Sequence, residues 1–412
     1  VDGFCRLSER FGRFGLDRSL APAIRYFEEG VPLAPRAAFD IKDLGDAFNV
    51  SARHAFLNDG RPFAQGDTIR LPEQAEALRR LAKDGRSAFY EGEVADDMLA
   101  TLEAVGGVHT AEDFGSVEAT WGTPIAGSYG GYDLLEHPPN GQGATAILMC
   151  NILSHFDVGA LDPHGAARFH LEAEATKLAY DARNRFLADL DHMAHLDHML
   201  SPDTAAQLAA LIDLNVAMKM PPPLAEGTHR DTVLITAVDR DGMAVSLIYS
   251  IFASFGSGIA SDKFGILFHN RGCGFNLHPG HPNEIGPGKR PMHTIIPAMR
   301  SGANGIDMAF GVMGGQYQAT GHAHVMSNMI DFGMDPQAAA DSPRAFADPE
   351  TGALRIESTL SAETVRALEE KGHTLTRTPD PIGGAQLIFI DHERGVLVGG
   401  SDPRKDGCAI GY

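Results

Sequence analysis

The stretch "HRDTVLITAVDRDGMAVSLIYS", His229 to Ser250, reads as two apolar strands around a tight turn. Val233, Ile235 and Val238 on one side, and Val245, Leu247 and Tyr249 on the other, supply the β-branched and aromatic bulk that suits strands. Asp239-Arg240-Asp241-Gly242 between them tolerates left-handed backbone angles. The first strand opens on Thr232, directly after Asp231. Threonine is ordinary in a strand, so periodicity alone gives it no further role. Its position in the chain is what distinguishes it.

Up to about Met220 the dominant pattern is helical, with apolar residues three and four apart. "LAPAIRYFEEG" ends on Gly30 and "LPEQAEALRRLAKDG" on Gly85, while "ARFHLEAEATKLAYDARNRFLADL" reads as a long amphipathic helix. Beyond Met220 strands and glycine turns take over, interrupted by the helical "SAETVRALEEKG" and by Gln318 to Met334. Between the halves "MPPPLAEGTHRD" has the prolines and small polar residues of an exposed, mobile linker. Thr232 is therefore the first residue of a β-rich half, immediately after a linker. A residue destined to become an N-terminus would stand there.

The chemistry of that position is specific. A threonine hydroxyl is a poor nucleophile until a base takes its proton, and a free α-amine on the same residue is such a base. The amine exists only once the preceding peptide bond is cut. The hydroxyl can make that cut itself by attacking the carbonyl of Asp231, and hydrolysis of the resulting ester completes it.

Composition bounds the alternatives. The 412 residues suffice for a large core in one domain or two. A formal charge of −20 disfavours nucleic acid or an anionic membrane as partner. No run of about 18 apolar residues occurs, so no bilayer-spanning helix is expected. Cys5, Cys150, Cys273 and Cys408 are scattered and form no CxxC pair, which supports neither a zinc knuckle nor a disulfide framework. The chain starts at Val1 with no leader pattern, which leaves both cytoplasm and periplasm open.

"DTVLITAVDRDGMAVSLIYS", "FGSGI", "GILFHNRG", "PGKRPMHTIIPAM", "GVMGGQYQ", "DSPRAF", "ALRIES" and "GSDPRKDGCAIGY" occur in this order. Upstream come "LAPAIRYFEEG", "GGVHTAEDF", "HPPNGQGATA" and "EATKLAYDARNRFLAD". The set resembles the γ-glutamyltranspeptidases, a family of N-terminal-nucleophile hydrolases, over nearly the whole chain. The resemblance implies an α+β fold, a four-layer αββα sandwich with both sheets between helices. It implies a chain cut between Asp231 and Thr232 into a large part, residues 1–231, and a small part, residues 232–412, which together make one structural domain. The parts would associate as a heterodimer, with further dimerisation left open. No cofactor and no metal are implied.

Roles follow residue by residue. Thr232 matches the nucleophile. Ser250 falls where the family has a hydroxyl that hydrogen-bonds it, although a serine ending a strand is otherwise unremarkable. Gly314 and Gly315 fall on a glycine pair whose backbone N–H groups stabilise the oxyanion; read locally, the pair is a turn. Where γ-glutamyl enzymes hold the substrate α-amine with amide and acidic side chains, this sequence has Phe252, Arg271 and Gly274, the last two in "HNRGCGF". An ammonium would meet a ring, a guanidinium and no side chain. His293 and Thr294 replace two serines that contact the glutamyl carboxylate, and both can still donate. The family's long segment before the position of Val1, with its carboxylate-clamping arginine, has no counterpart here. Arg271 could take over part of that work, since a guanidinium grips a carboxylate with two bonds, or could be a solvated surface charge.

Other features carry less. His192, His195 and His198 in "DHMAHLDHM" spread over about 120° of a helix and fit no zinc motif. "NGQG" and "RGCG" lack the third glycine and the context of a dinucleotide site. Asn49-Val50-Ser51 fits a glycosylation acceptor. The expectation is thus a self-processed amidohydrolase acting on a small amide with an anionic acyl part, similar to relatives that hydrolyse oxamate or glutaryl-type amides. Two alternatives stand beside it: glutathione hydrolase or γ-glutamyltransferase activity with a rearranged pocket, and an inert, scaffold-like chain.

Overall fold

The computed structural model describes residues 1–42, 47–219 and 231–412. The linker read at Met220 to Asp231 therefore lies outside the described residues, except for Asp231. The chain forms two compact units. One comprises Val1–Trp121 with Ala253–Asn270, the other Gly122–Phe252 with Arg271–Tyr412. Each unit draws chain from both sides of the Asp231–Thr232 bond.

The first unit is helical. Helices α1 (Asp2–Phe11), α2 (Leu16–Glu29), α3 (Pro72–Asp84) and α4 (Gly92–Ala104) dominate it, with α2 against α3. α2 and α3 end at Gly30 and Gly85, as their sequences predict. Phe264, from the unit's second stretch, packs among Ala77, Val94 and Met98.

The second unit is built on one antiparallel sheet. Its strands are β1 (Ile125–Tyr129), β2 (Tyr132–Glu136), β5 (Ala298–Gly302), β6 (Gly305–Met313), β7 (Gly384–Asp391) and β8 (Val396–Ser401), in the order β8-β7-β6-β5-β2-β1. The opening hairpin of the sequence is a separate ribbon, β3 (Asp231–Val238) and β4 (Ala244–Phe252), turning where Gly242 has φ +82°. β6 shows how the layers stack, because successive side chains of a strand point to opposite faces. Phe310 and Val312 face helix α7 (Gln318–Ile330): the Phe310 ring lies 5.1 Å from His322, and Val312 lies beside Gly321. Gly311 and Met313 face the ribbon, where Leu234 and Ile248 pack. Helices α5 (Gly143–Leu153) and α6 (Ala166–Phe186) join α7 to complete the helical layer. Helix, sheet and ribbon follow one another here as the layers of the expected α+β sandwich, and the ribbon's other face leaves Val233, Ile235, Val245 and Tyr249 exposed.

Two expectations need correction. The first half of the chain is not helical throughout, since "IAGSYGGYDLLE" supplies β1 and β2 to the central sheet. And α6 is not amphipathic but buried nearly all round, Arg168, His170, Glu172, Glu174, Lys177 and Arg183 included. Two of its cations meet carboxylates on the same helix instead of facing water. Arg168 bonds Glu172 at 2.6 Å, one turn away, and Lys177 bonds Glu174 at 2.7 Å. Burial would raise the Glu172 carboxyl, but Arg168 and His324 hold it down at about 2.

Candidate active site

Thr232 lies where the ribbon is irregular. Between the pairs Asp231↔Phe252 and Val233↔Tyr249, one residue of β3 opposes two of β4, Ser250 and Ile251. Such a bulge bends the strand and re-aims a side chain. Thr232 donates from Oγ1 to Ser250 Oγ at 3.2 Å, and the same Ser250 oxygen accepts the Phe252 N–H at 2.9 Å. Phe252 has φ +80°, a left-handed conformation that costs a side-chain-bearing residue about 1–2 kcal/mol.

Phe252 continues into a small cavity of about 60 Å³ that Gly274, Cys273, Met292, Thr294, Arg183 and Gln316 also line. Arg271 starts the short turn Arg271–Gly274, and it is not a solvated surface residue: it is 5% exposed. Its Nη1 donates to Thr294 Oγ1 at 3.2 Å, and its guanidinium stands 4.3 Å from the centre of the Phe252 ring. Burial pushes it down to about 10. At Gly274 a Cβ would come within 2.8 Å of the Met292 carbonyl oxygen, so no larger residue fits without moving that strand of loop. His293 is tied to Asn140: its N–H donates to the Asn140 carbonyl at 2.8 Å, and its Nδ1 lies 2.7 Å from Asn140 Nδ2.

β6 runs into Gly314 and Gly315, whose φ values are +129° and +57°. A Cβ at Gly314 would meet the Cα of Gly383 at 2.6 Å. Glycine is thus required by both conformation and space. The Gly314 carbonyl accepts the Tyr317 N–H at 3.2 Å, which closes the turn. Fully buried Gln142 bridges this turn to the cavity, donating from Nε2 to the carbonyls of Thr294 at 2.8 Å and Gly315 at 3.2 Å. A continuous chain of contacts therefore runs from Thr232 through Ser250, Phe252, Arg271, Thr294 and Gln142 to Gly315.

The family profile described as Gamma-glutamyltranspeptidase matches residues 1–412. The chain belongs to the gamma-glutamyltranspeptidase family. It is 32% identical to the glutathione hydrolase-like YwrD proenzyme of Bacillus subtilis, covering 100% of this chain and 79% of that protein. It is 31% identical to the oxamate amidohydrolase proenzyme of Klebsiella pneumoniae, covering 96% and 76%. The crystal structure of cephalosporin acylase from Bacillus halodurans superposes with a TM-score of 0.91 at 34% identity, covering 100% of this chain and 77% of that one. The protein is accordingly a hydrolase of the amidohydrolase and acylase kind, with the N-terminal-nucleophile hydrolase fold that the motif order implies.

Within this gamma-glutamyltranspeptidase chain the sequence reading missed Gln142, Arg183 and Gln316. For Gln142 the signal was a polar residue between glycines at the head of an apolar helix, "GQGATAILMCNIL", which has no solvent face to serve. Among the described residues, one group has metal-ligand character: buried His170, Glu174 and His373, with ligand atoms within 4.8 Å of one another. Its needs are already met. His170 bonds His373 at 2.8 Å and the Asp213 carbonyl at 2.8 Å, while the Glu174 oxygens accept from Lys177 and from the Met218 N–H. The Lys177 ammonium already supplies Glu174 with a cationic partner, at 2.7 Å. His192 ends one short helical turn, and His195 caps the helix that holds His198. Asn49 spends both ends of its amide as a helix cap and on Ala260, which leaves the acceptor pattern around it a structural one. No described helix is long and apolar enough to cross a membrane.

Proposed function

We propose that the chain cuts itself between Asp231 and Thr232 and then hydrolyses a small amide with an anionic acyl group through an ester on Thr232. The observation that carries this is the meeting of two hydroxyls at the head of β3, Thr232 Oγ1 on Ser250 Oγ at 3.2 Å, two residues before Phe252, whose ring lines the cavity and stacks on the buried guanidinium of Arg271. After the cut, the Thr232 amine takes the proton of its own hydroxyl, whose oxygen bonds to the substrate carbonyl carbon. The oxyanion is met by the N–H groups of Gly314 and Gly315, the leaving amine takes the proton, and water then releases the acid.

Substrate choice rests on Arg271 over Phe252. A guanidinium stacked on a ring favours a carboxylate and offers an ammonium neither charge nor acceptor, and Gly274, which lines the cavity with Phe252, adds no side chain. Thr294, held by Arg271, lines the cavity, and His293 precedes it in the chain. The two parts, 1–231 and 232–412, would remain together as a heterodimer, because β2 from the first pairs along its length with β5 from the second.

The test is twofold. Intact mass of fresh protein should show a fragment beginning at Thr232, and Thr232→Ala should leave a single chain; cleavage that persists in that variant removes the nucleophile assignment. Of matched p-nitroanilides, the glutaryl compound should be hydrolysed roughly ten- to hundred-fold faster in kcat/KM than the γ-glutamyl one, with oxamate followed by ammonia release. A preference for the γ-glutamyl compound would restore glutathione hydrolase or transferase activity, and a single uncut chain without turnover would favour the inert reading.

A further inference from the structure

The Gly314–Gly315 turn is gripped from behind. Gln142 Nε2 donates to the carbonyls of Thr294 and Gly315, while its Oε1 accepts from Arg183 Nη1 at 2.9 Å. The orientation of this amide is forced, since the reverse would set NH2 against a guanidinium and oxygen against two carbonyls. Arg183, buried on α6, also donates to the Gln316 side-chain carbonyl, and the Tyr180 hydroxyl on the same helix donates to the Gln316 backbone carbonyl. Asn184 Oδ1 takes two further bonds from Arg183, at 3.0 and 2.8 Å.

All the acceptors around Arg183 here are amide oxygens, an expensive way to hold a buried cation if packing were its only purpose. What the arrangement achieves is geometric. Two successive glycines have the softest backbone available, and an N–H pair must be aimed before reaction to stabilise an oxyanion. Fixing the Gly315 carbonyl through Gln142, and the Gly314 carbonyl through Tyr317, fixes the peptide planes on both sides of Gly315.

We propose that Gln142 and Arg183 are positioning residues that lock the Gly314–Gly315 turn at a set distance from the Thr294 carbonyl. Their kinetic effect rests on the reading of that turn as the oxyanion site; their effect on the turn itself does not. Gln142→Met keeps the volume and removes the amide. Gln142→Glu keeps the acceptor for Arg183 but loses both donated bonds.

Both variants should exchange the backbone amides of Gly314–Tyr317 roughly tenfold faster or more by hydrogen–deuterium exchange, while the amides of β5 and β7 stay as in the wild type. On an amide that the wild type turns over, kcat should fall roughly ten- to hundred-fold with KM within about threefold, and Glu should not rescue Met. Arg183→Lys, which keeps the charge and loses the fork, should fall between. A folded Gln142→Met protein with wild-type exchange at the turn overturns the proposal, and so does a Gln142→Glu protein that behaves as wild type. Should Gln142→Met fail to fold, Arg183→Gln answers by the same exchange measurement. If the wild type hydrolyses none of the amides, the functional reading falls while the exchange data still decide the positioning role.

Discussion

Replacing Arg271 with methionine isolates the charge at the proposed acyl pocket. The side chain is 5% exposed, and burial has pushed its guanidinium from the usual 12.5 to about 10. At about 1.4 kcal/mol per pH unit, that displacement corresponds to roughly 3 kcal/mol of unfavourable burial for the charged form. A carboxylate arriving beside it offsets much of this cost through a charge-assisted hydrogen bond of about 1.5–3 kcal/mol. Methionine fills a comparable volume against the Phe252 ring and provides no charge. Arg271→Met should therefore lower kcat/KM for glutaryl p-nitroanilide about 10- to 100-fold and leave that for butyryl p-nitroanilide, of similar length and no charge, within about threefold. The assay is p-nitroaniline release from both substrates by wild type and variant, reported as a ratio of ratios so that a general loss of active protein cancels. An equal fall for both substrates would refute the reasoning, because it would mean that Arg271 shapes the pocket without selecting for charge.

Further outcomes follow from the geometry. Ser250→Ala, which removes the acceptor of the Thr232 hydroxyl, should slow both self-cleavage and turnover about 10-fold or more, read from the rate of fragment appearance and from kcat. Gly315→Ala places a side chain at φ +57° and should lower kcat about 100-fold or more in a protein whose circular dichroism matches wild type; near-normal turnover would return the pair to an ordinary turn. Acid should weaken the fold through His373, which burial, with Lys177, His170 and Lys371, lowers to about 3. Its folded form is neutral and its unfolded form binds a proton near 6.5, so stability is full above pH 6.5 and falls by up to about 1.4 kcal/mol per unit below it. Urea titrations between pH 7 and 4.5 should show this slope, and His373→Gln should flatten it.

Local pattern carried the ribbon and the helices that end on glycine, because alternation over six residues and a stop signal are both written within one element. β1 and β2 went unread since "IAGSYGGYDLLE" is short and its glycine pair resembles any loop. α6 was misread for a deeper reason. Charges at helical spacing normally mark a solvated face, and only the tertiary structure shows Glu172 meeting Arg168 and His324 inside the core. In the site, Thr232 and Ser250 could be singled out from strand ends and motif order, whereas the burial of Arg271 beneath Phe252 depends on a loop far along the chain folding back. Gln142 and Arg183 depended on contacts 41 residues apart, which no window of sequence displays.

The pairing of β2 with β5 gives the proposed cut a meaning beyond activation. In the proposed reaction Thr232 would attack the Asp231 carbonyl only once Ser250 and the bulge are in place, and the sheet against which the ribbon packs takes strands from both sides of that bond. A chain that misfolds would keep its peptide bond. Two bands on a denaturing gel would then record each molecule's folding history, with the cut serving as an irreversible stamp that the sheet had once closed correctly, legible even after the protein is unfolded for measurement.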